Sequence, residues 1–441
     1  MPLPTPKTRR HLSADGLCRT VRAGLERILD ERPQPQISLR DALLSAFAMF
    51  SLKDSSLLAF DARRHDGNLQ QLFGIGQVPC DTRMREILDP VDPERLRPVF
   101  NDVFRGLQRG KALEPLVFHA GCYLLALDGT GYFSSRTVHC DSCLKKTNSR
   151  TGEVTYSHQM LGAVLVHPDF REVIPLAPEP IIQQDGTTKN DCERNAAKRL
   201  LRKIRQEHPH LGLIVVEDGL ASNAPHIREL QDLGMHFILG AKPGDHTFLF
   251  EKLIAAYDAG RVTTLSWKTP GGGLIEVCWT HDLPLNEANP GLLVNFLQYT
   301  EFDAEGNPRK TFSWVTDLKI TRHNAWDLAR GGRARWKIEN ETFNTLKNQG
   351  YQFEHNFGHG EINLSVVFAM LMMLAFLADQ VQQLCCPLFR AVWQKFGSKR
   401  ALWDNLRSHF RHFAFTSQRH LYEVMLHGLA KQLPAPSPDT S

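Results

Sequence analysis

The sequence lacks several features that mark common classes of protein. Nine cysteines in 441 residues are too few for a disulfide scaffold, so we expect a reducing compartment. No GxxxxGK(S/T) motif is present, which argues against nucleotide hydrolysis at a phosphate-binding loop. The first residues, MPLPTPKTRRHLSADGL, contain no apolar core of the signal-peptide type. These absences predict a cytoplasmic protein.

The apolar run at residues 366–378, VVFAMLMMLAFLA, is too short to cross a membrane. A membrane-spanning helix needs about 20 apolar residues. We therefore expect a buried helix of the protein core and no membrane partner.

The composition is that of a folded protein with a modest positive charge. Hydrophobic residues make up 42% of the chain and charged residues 23%, which is enough for a packed core. The formal net charge is +4, which is compatible with an anionic partner.

The pattern of residues along the chain indicates six segments. Helical periodicity begins at SLRDALLSAFAMFSL, where Ser38 is the expected N-cap. The predicted segments are a flexible arm (1–34), a helical domain (35–115), an α/β core (116–243 and 322–360), a β-rich insertion (244–321), a helical C-terminal region (361–431) and a disordered tail (432–441).

Alternating short apolar runs and helical segments predict a mixed sheet flanked by helices in the core. We expect its first strand, CYLLALD, to end at Asp128 in a Gly-Thr-Gly turn. The other predicted elements are strands at 158–167, 172–182, 211–218 and 235–242, a helix at 189–207 and a helix beginning at Asn223. The insertion shows β patterns in TTLSWKT, GGLIEVCWTHDL, LVNFLQYTEFD and KTFSWVTDLKI.

Three acidic residues form the candidate active site. Asp128 and Asp218 each follow a buried strand, and their carboxylates would meet if the first and fourth strands were neighbours. Glu339, on a predicted helix over residues 324–348, is the third. Clustered carboxylates need a counter-charge, and Mg²⁺, or Mn²⁺ in its place, is held by such oxygen ligands. The alternative is that the aspartates are turn or cap residues and that Glu339 pairs with Arg335 in solvent.

The motifs LALDGTGYF, IVVEDGLASNAPHI and RWKIENETFNTLK occur in that order within residues 122–350. Together they make this region similar to the catalytic core of the DDE transposases of bacterial insertion sequences. Arg335, Glu339 and Lys347 resemble that family's Tyr-x2-Arg-x3-Glu-x6-Lys signature. Gly332 stands at the Tyr position, and Lys347 falls one place late.

The resemblance implies an RNase H-like fold with a β-rich insertion before the catalytic Glu. It implies metal-dependent DNA cleavage and strand transfer, with Asp128, Asp218 and Glu339 as metal ligands. It also implies a homodimer on DNA, at the nucleoid, because two element ends must be brought together. Two other functions stay open: a non-catalytic DNA-binding relic, and a two-metal nuclease that cuts without joining. The intact set of three acids favours an enzyme.

Several basic segments are candidate DNA contacts, although each also fits an ordinary solvated helix face. Arg335 and Lys347 flank Glu339 and would meet the DNA backbone. Arg83 and Arg85, in PCDTRMREIL, are the candidate readers of the element ends, because the catalytic core needs to contact only phosphates. Further candidates are Arg194, Lys198, Arg199, Arg202, Lys203 and Arg205 in one helix, and Lys399, Arg400, Arg407 and Arg411 near the C-terminus.

The motif HCDSC places Cys140 and Cys143 at a spacing typical of zinc ligands. His158 or Cys192 are candidate further ligands, as is His139 within the motif. Because no second Cys-x2-Cys motif exists, we expect plain thiols in a loop rather than a structural zinc site. We expect His355 and His359 to be polar loop residues, and Trp267 and Trp279 to lie in the core or on a sheet face rather than to stack on a displaced base.

The choice between Glu339 and its neighbour Glu341 depends on the helix face. Steps of four residues place Arg335, Glu339, Phe343 and Lys347 along one side. We expect Phe343 and Leu346 to hold that side against the sheet, and Glu341 to pair with Lys337 on the other side.

Overall fold

The N-terminal part of the chain is helical in the computed structural model, which describes residues 10–182 and 192–428. Ser38 caps the second helix by accepting a hydrogen bond from the backbone N–H of Asp41, as predicted. The helices are α1 (Ala14–Glu26), α2 (Leu39–Leu52), α3 (Leu57–Asp61), α4 (Asp81–Leu88) and α5 (Arg97–Arg109), with a π-helix at Leu69–Phe73 between α3 and α4.

The expectation of a flexible arm over residues 1–34 is wrong for its described part. Helix α1 buries Leu17, Val21 and Leu25. Their spacing of four residues forms an apolar stripe that packs against the other helices. The basic and proline residues before them dominate the local composition and conceal this pattern. Residues 1–9 lie outside the described part of the chain.

The core contains the predicted mixed sheet. Its elements are β1 (Tyr123–Ser135), β2 (Leu144–Thr147), β3 (Val154–Val166), β4 (Ile174–Pro175), β5 (Glu179–Ile181), α6 (Glu193–Glu207), β6 (Leu213–Glu217), α7 (Ala224–Asp232) and β7 (His236–Gly240). The strand order is β2-β3-β1-β6-β7, with β1, β6 and β7 parallel to one another and β3 antiparallel to β1. The fold class is therefore confirmed.

Strand β1 does not end in a turn after Asp128, as the sequence predicted. It continues through Gly129 and Gly131 to Ser135, because β3 pairs with it along this whole length, with a register shift between Gly131 and Phe133. Pairing with a neighbour here outweighs the turn preference of glycine. The predicted strand at 172–182 is two short strands, β4 and β5. The predicted helix start at 189–191 lies outside the described residues.

The predicted β-rich insertion extends the same sheet. A helix that the sequence analysis missed, α8 (Thr247–Asp258), comes first. The strands β8 (Thr263–Lys268), β9 (Leu274–Asn286), β10 (Asn289–Phe302) and β11 (Pro308–Thr316) follow. Strand β11 pairs antiparallel with β7, so the insertion strands continue the core sheet in the order β7-β11-β10-β9-β8.

The predicted continuous helix over 324–348 is divided into three parts. Helix α9 (Ala325–Arg333) ends in a turn at residues 334–335. A π-helix, Ile338–Phe343, follows and leads directly into α10 (Asn344–Asn348). Glu339 lies in this π-helix.

The C-terminal region is helical, as expected. Its helices are α11 (Leu364–Cys385), α12 (Pro387–Phe396), α13 (Lys399–His412) and α14 (Gln418–His427). By length and composition α11 is apolar enough to cross a membrane, but 94% of its most apolar window is buried inside the protein. The predicted core helix is confirmed. The predicted tail, 432–441, lies outside the described residues.

The N-terminal and C-terminal helices pack together. Lys53, at the end of α2, forms a buried ion pair with Asp379 of α11. Asn68 donates a hydrogen bond to the carbonyl of Phe410 at 2.8 Å, and Asp15 accepts one from the backbone N–H of Gln418 at 2.7 Å. The N-terminal helices are therefore joined to α11 and α13 through buried contacts and to α14 through a partly buried one.

Candidate active site

The parallel pairing of β1 with β6 brings Asp128 and Asp218 to one edge of the sheet. The register pairs Ala126 with Val216, so each aspartate lies two residues beyond this pair. Both residues line a single cleft. Asp218 also caps a short 3₁₀ turn by accepting a hydrogen bond from the backbone N–H of Leu220 at 2.9 Å. The condition under which the two carboxylates would meet, that the first and fourth predicted strands be neighbours, is therefore fulfilled.

The π-helix carries Glu339 to the same edge. Phe343 and Leu346 are buried beneath it, as expected. Phe343 packs on Gly162 of β3, which lies opposite Asp128 in the strand register. A Cβ at Gly162 would lie 2.9 Å from the Cζ of Phe343, so the absence of a side chain permits this approach. π-helical segments inside longer helices are frequent at functional sites.

Arg335 links two of the three acids. Its Nη1 atom lies 3.2 Å from Oδ2 of Asp128 and 3.2 Å from Oε1 of Glu339. The guanidinium therefore supplies a positive charge between these two carboxylates. Sequence analysis assigned Arg335 to the DNA backbone, whereas its described contacts are with these carboxylates.

The electrostatics of Asp128 are those of a crowded acidic site. Burial raises the pKa of Asp128 to about 7, with Arg335 opposing the rise and Glu339 adding to it. A carboxylate with so high a pKa needs further positive charge to stay ionised in a neutral solution. Its hydrogen bond from the backbone N–H of Gly129, at 3.0 Å, supplies part of this stabilisation.

Sequence reasoning missed a fourth acidic residue, Glu193, at the start of α6. Its side chain lies against Gly129, where any Cβ would collide with its carboxylate. Burial, followed by the charges of Asp218 and Glu217, raises the pKa of Glu193 above its usual range. The one signal in the sequence is Gly129, directly after Asp128, which leaves room for a close neighbour.

Glu217, directly before Asp218, is also part of this edge. It is buried and pairs with Nε2 of His226 at 2.6 Å. Burial alone would lower the pKa of His226, but the charge and hydrogen bond of Glu217 raise it above its ordinary value. A protonated His226 would balance the charge of Glu217, so the pair would add no net charge to the cleft that both residues line.

Glu341 and Lys347 have partners away from this site. Glu341 forms its ion pair with Nε of Arg171 at 3.1 Å rather than with Lys337. Burial lowers the pKa of Lys337, and the charge of Glu341 opposes this, so the two residues interact only through their charges. The Nζ atom of Lys337 donates a hydrogen bond to the carbonyl of Phe170 at 2.6 Å. Lys347 pairs with Glu354 at 2.9 Å.

The candidate end-reading residues lie on α4 and are partly exposed. Arg83 pairs with Glu86 at 2.7 Å and Arg85 with Asp81 at 2.6 Å. Both pairs lie within one helix and are half-exposed, so they hold these arginines weakly.

The basic residues of α6 divide into two groups. Arg194 and Lys198 line the cleft that contains Asp128 and Asp218. The other basic side chains of α6 contact acidic or carbonyl groups of the protein itself. These contacts do not favour binding of DNA phosphates along the whole helix. These contacts are Arg199 with Glu179, Arg202 with Glu229, Lys203 with Glu179 and Arg205 with the carbonyl of Leu233.

Most basic residues of the C-terminal segment also contact the protein. Lys399 is buried, Arg400 donates to the carbonyl of Asn348 at 2.8 Å and Arg407 donates to the carbonyl of Lys53 at 2.7 Å. Arg411 is exposed. This segment therefore packs the helices together more than it presents charge to a ligand.

The two tryptophans of the insertion lie where the sequence analysis expected. Trp279 is buried in the core. Trp267 is partly exposed on the sheet and packs edge-on against Trp326, with ring centroids 5.3 Å apart.

The cysteines of the HCDSC motif are not simple loop thiols. Cys140 and Cys143 are buried with His158 and His359. His359 lies in a loop, as expected, but it is buried rather than a solvated polar residue. His139 stacks on Tyr156 outside this cluster, and His355 is exposed. Cys192 is exposed and lines the cleft of the active site instead.

The family of the chain follows from comparison with known proteins. A model of the transposase DDE domain matches residues 145–377, which is more than half of the chain. The chain belongs to this family of DDE transposases. The matched range contains Asp218 and Glu339 of this transposase but begins after Asp128. No curated protein matches the transposase. The family predicted from the sequence is thus confirmed.

Proposed function

We propose that this transposase binds the terminal repeats of an insertion sequence and catalyses DNA cleavage and strand transfer at Asp128, Asp218 and Glu339. The observation that carries the proposal is the position of Asp128. It shares one cleft with Asp218 and one guanidinium nitrogen with Glu339. The proximity of carboxylates from three separate parts of the chain supports the proposal.

A divalent cation fits these residues. The donors are carboxylate oxygens, which suit Mg²⁺ or Mn²⁺. The guanidinium of Arg335 already places a cation between Asp128 and Glu339, and the raised pKa of Asp128 reflects a need for positive charge. Bound divalent ions would activate the attacking hydroxyl and stabilise the leaving oxygen of a phosphodiester.

The residues of the chain have distinct roles in this proposal. Asp128, Asp218 and Glu339 would hold the ions, and Glu193 is a candidate fourth acid through its position against Gly129. Arg335 orients two of the carboxylates. Arg194 and Lys198 line the same cleft and would contact the phosphates of the substrate.

Sequence recognition belongs to another part of the molecule in this proposal. We assign it to α4, where Arg83 and Arg85 are half-exposed. Base-specific contacts come from such side chains, whereas phosphate contacts position the DNA without reading it. A homodimer on DNA, in the cytoplasm at the nucleoid, would bring two element ends together.

Metal dependence tests the proposal most directly. Purified transposase is incubated with labelled DNA that carries an element end, in Mg²⁺, Mn²⁺, Ca²⁺ or EDTA. We expect cleavage with Mg²⁺ or Mn²⁺, binding with little cleavage in Ca²⁺, and no cleavage in EDTA. Asp128→Ala and Asp218→Ala should each abolish cleavage and leave end binding intact.

Results of the cleavage assay other than those expected would indicate a different function. Full cleavage in EDTA would exclude the metal mechanism. Cleavage without joined products would indicate a nuclease, and specific end binding without cleavage under any metal would indicate a relic.

A further inference from the structure

Four buried side chains converge away from the acidic site. They are Cys140 and Cys143 from the segment between β1 and β2, His158 from β3, and His359 from the segment before α11. Their side-chain ligand atoms all lie within 4.8 Å of one another. The four residues are 6%, 0%, 1% and 8% exposed, so water cannot satisfy them freely.

The distances between these atoms match the edges of a zinc tetrahedron. Bond lengths of about 2.3 Å to sulfur and 2.0–2.1 Å to nitrogen give edges of about 3.8 Å between sulfurs and about 3.5 Å between sulfur and nitrogen. The Sγ atoms of Cys140 and Cys143 are 3.8 Å apart. Nε2 of His158 lies 3.4 and 3.5 Å from them, and Nε2 of His359 lies 3.4 Å from Cys143.

We infer that Cys140, Cys143, His158 and His359 bind a structural zinc ion. Two thiolates would cancel the charge of Zn²⁺, which makes complete burial of the site favourable. A single imidazole nitrogen cannot bond well to two thiols at once, whereas one ion at the centre satisfies all four groups. Four protein ligands leave no open position, which is the arrangement of structural rather than catalytic zinc.

The inferred site lies apart from the acidic residues. His158 is four residues along β3 from Gly162, the partner of Asp128, which corresponds to about 13 Å along a strand. The ion would tie His359, which follows the Glu339 segment, to β3 and to the β1–β2 connection. Its role would therefore be to fix the chain that leads from the catalytic Glu into α11.

Metal analysis of the full chain tests this inference without reference to DNA cleavage. The protein is purified with a thiol reductant and without chelator, and its zinc is measured by mass spectrometry. We expect one zinc per chain that Mg²⁺ does not displace. Cys143→Ser and His359→Ala should lose it, while the matched controls Cys122→Ser and His139→Ala should retain it.

Cobalt supplies a second measurement that does not depend on the variants folding. Co²⁺ bound by the wild-type chain should show thiolate-to-metal charge-transfer absorption and the visible bands of tetrahedral coordination. Asp128→Asn, which alters the proposed magnesium site, should keep these bands. The inference is overturned if the reduced wild-type chain holds no zinc and gives no such absorption with Co²⁺. It is also overturned if Cys143→Ser and His359→Ala retain zinc as the controls do.

Discussion

Exchange of Glu339 or Glu341 for Gln distinguishes two acids that are two residues apart in one π-helix. Gln keeps the size and helix propensity of Glu and removes its charge. The carboxylate of Glu339 lies 3.2 Å from the Arg335 nitrogen that also contacts Asp128. The carboxylate of Glu341 contacts Arg171, whose side chain is 63% exposed.

The two contacts predict very different losses of cleavage activity for the two variants. A charged ligand to catalytic metal contributes several kcal/mol of transition-state stabilisation, so we expect Glu339→Gln to lower single-turnover cleavage about 10²- to 10⁴-fold. A solvent-exposed ion pair contributes about 0–1 kcal/mol, so Glu341→Gln should change cleavage by less than about 5-fold. Glu339→Gln should not destabilise the metal-free protein, because the charge of Glu339 helps to raise the pKa of Asp128.

The assay is single-turnover cleavage of labelled end DNA in Mg²⁺, with thermal unfolding of each variant measured in parallel. An inactive Glu341→Gln beside an active Glu339→Gln would show that the wrong acid had been assigned to the site. If Glu339→Gln lost activity only in proportion to a lost folded fraction, its role would be structural.

Three further outcomes follow from other parts of the structure. The pKa of Asp128 is raised to about 7 from an ordinary value of 3.8, so between these pH values the folded metal-free protein holds a proton that the unfolded chain has lost. Protonation of Asp128 therefore stabilises the folded state fully below about pH 4, and this stabilisation is lost as the pH rises through about 7. Asp128→Asn should flatten the free energy of unfolding over that window, and an unchanged slope would contradict the assignment. Arg83→Ala and Arg85→Ala should reduce the preference for end DNA over unrelated DNA in fluorescence anisotropy, whereas equal losses on both DNAs would indicate phosphate contacts. Asp379→Asn should lower the free energy of unfolding by about 3–5 kcal/mol in a denaturant titration, because it leaves buried Lys53 without a counter-charge; a loss below about 1 kcal/mol would refute this.

Recognition of element ends by the N-terminal helices should be tested with Arg83→Ala and Arg85→Ala rather than with a truncated protein. Helix α2 packs against α11, and Lys53 reaches Asp379 across that contact. Removing the helices that precede β1 would expose the apolar face of α11. The loss of end binding in such a fragment would then report unfolding as well as lost recognition.

Local patterns were sufficient for most of the core strands and for the order of the acids. Short apolar runs identified β1, β6 and β7, because buried parallel strands need apolar residues on both faces, and they also identified the buried antiparallel strand β3. The family motifs identified Asp128, Asp218 and Glu339 as candidates. The 13-residue apolar run was correctly predicted as a buried core helix, but α11 extends beyond the run to 22 residues, so its burial and not its length identifies it as core.

Long-range packing decided the rest, because it depends on contacts that no sequence window contains. Strand β1 keeps its extended conformation through Gly129 and Gly131 because β3 pairs with it there. Glu339 reaches Asp128 through a π-helix that rests on Gly162. Arg335 contacts Glu339 four positions further along the chain and Asp128 207 positions before it. His359 joins Cys143 across 216 positions, so the spacing of HCDSC could suggest two zinc ligands but not the fourth. A pattern of residues specifies local backbone structure and burial, whereas the meeting of distant charges and ligands depends on how the sheet and helices pack.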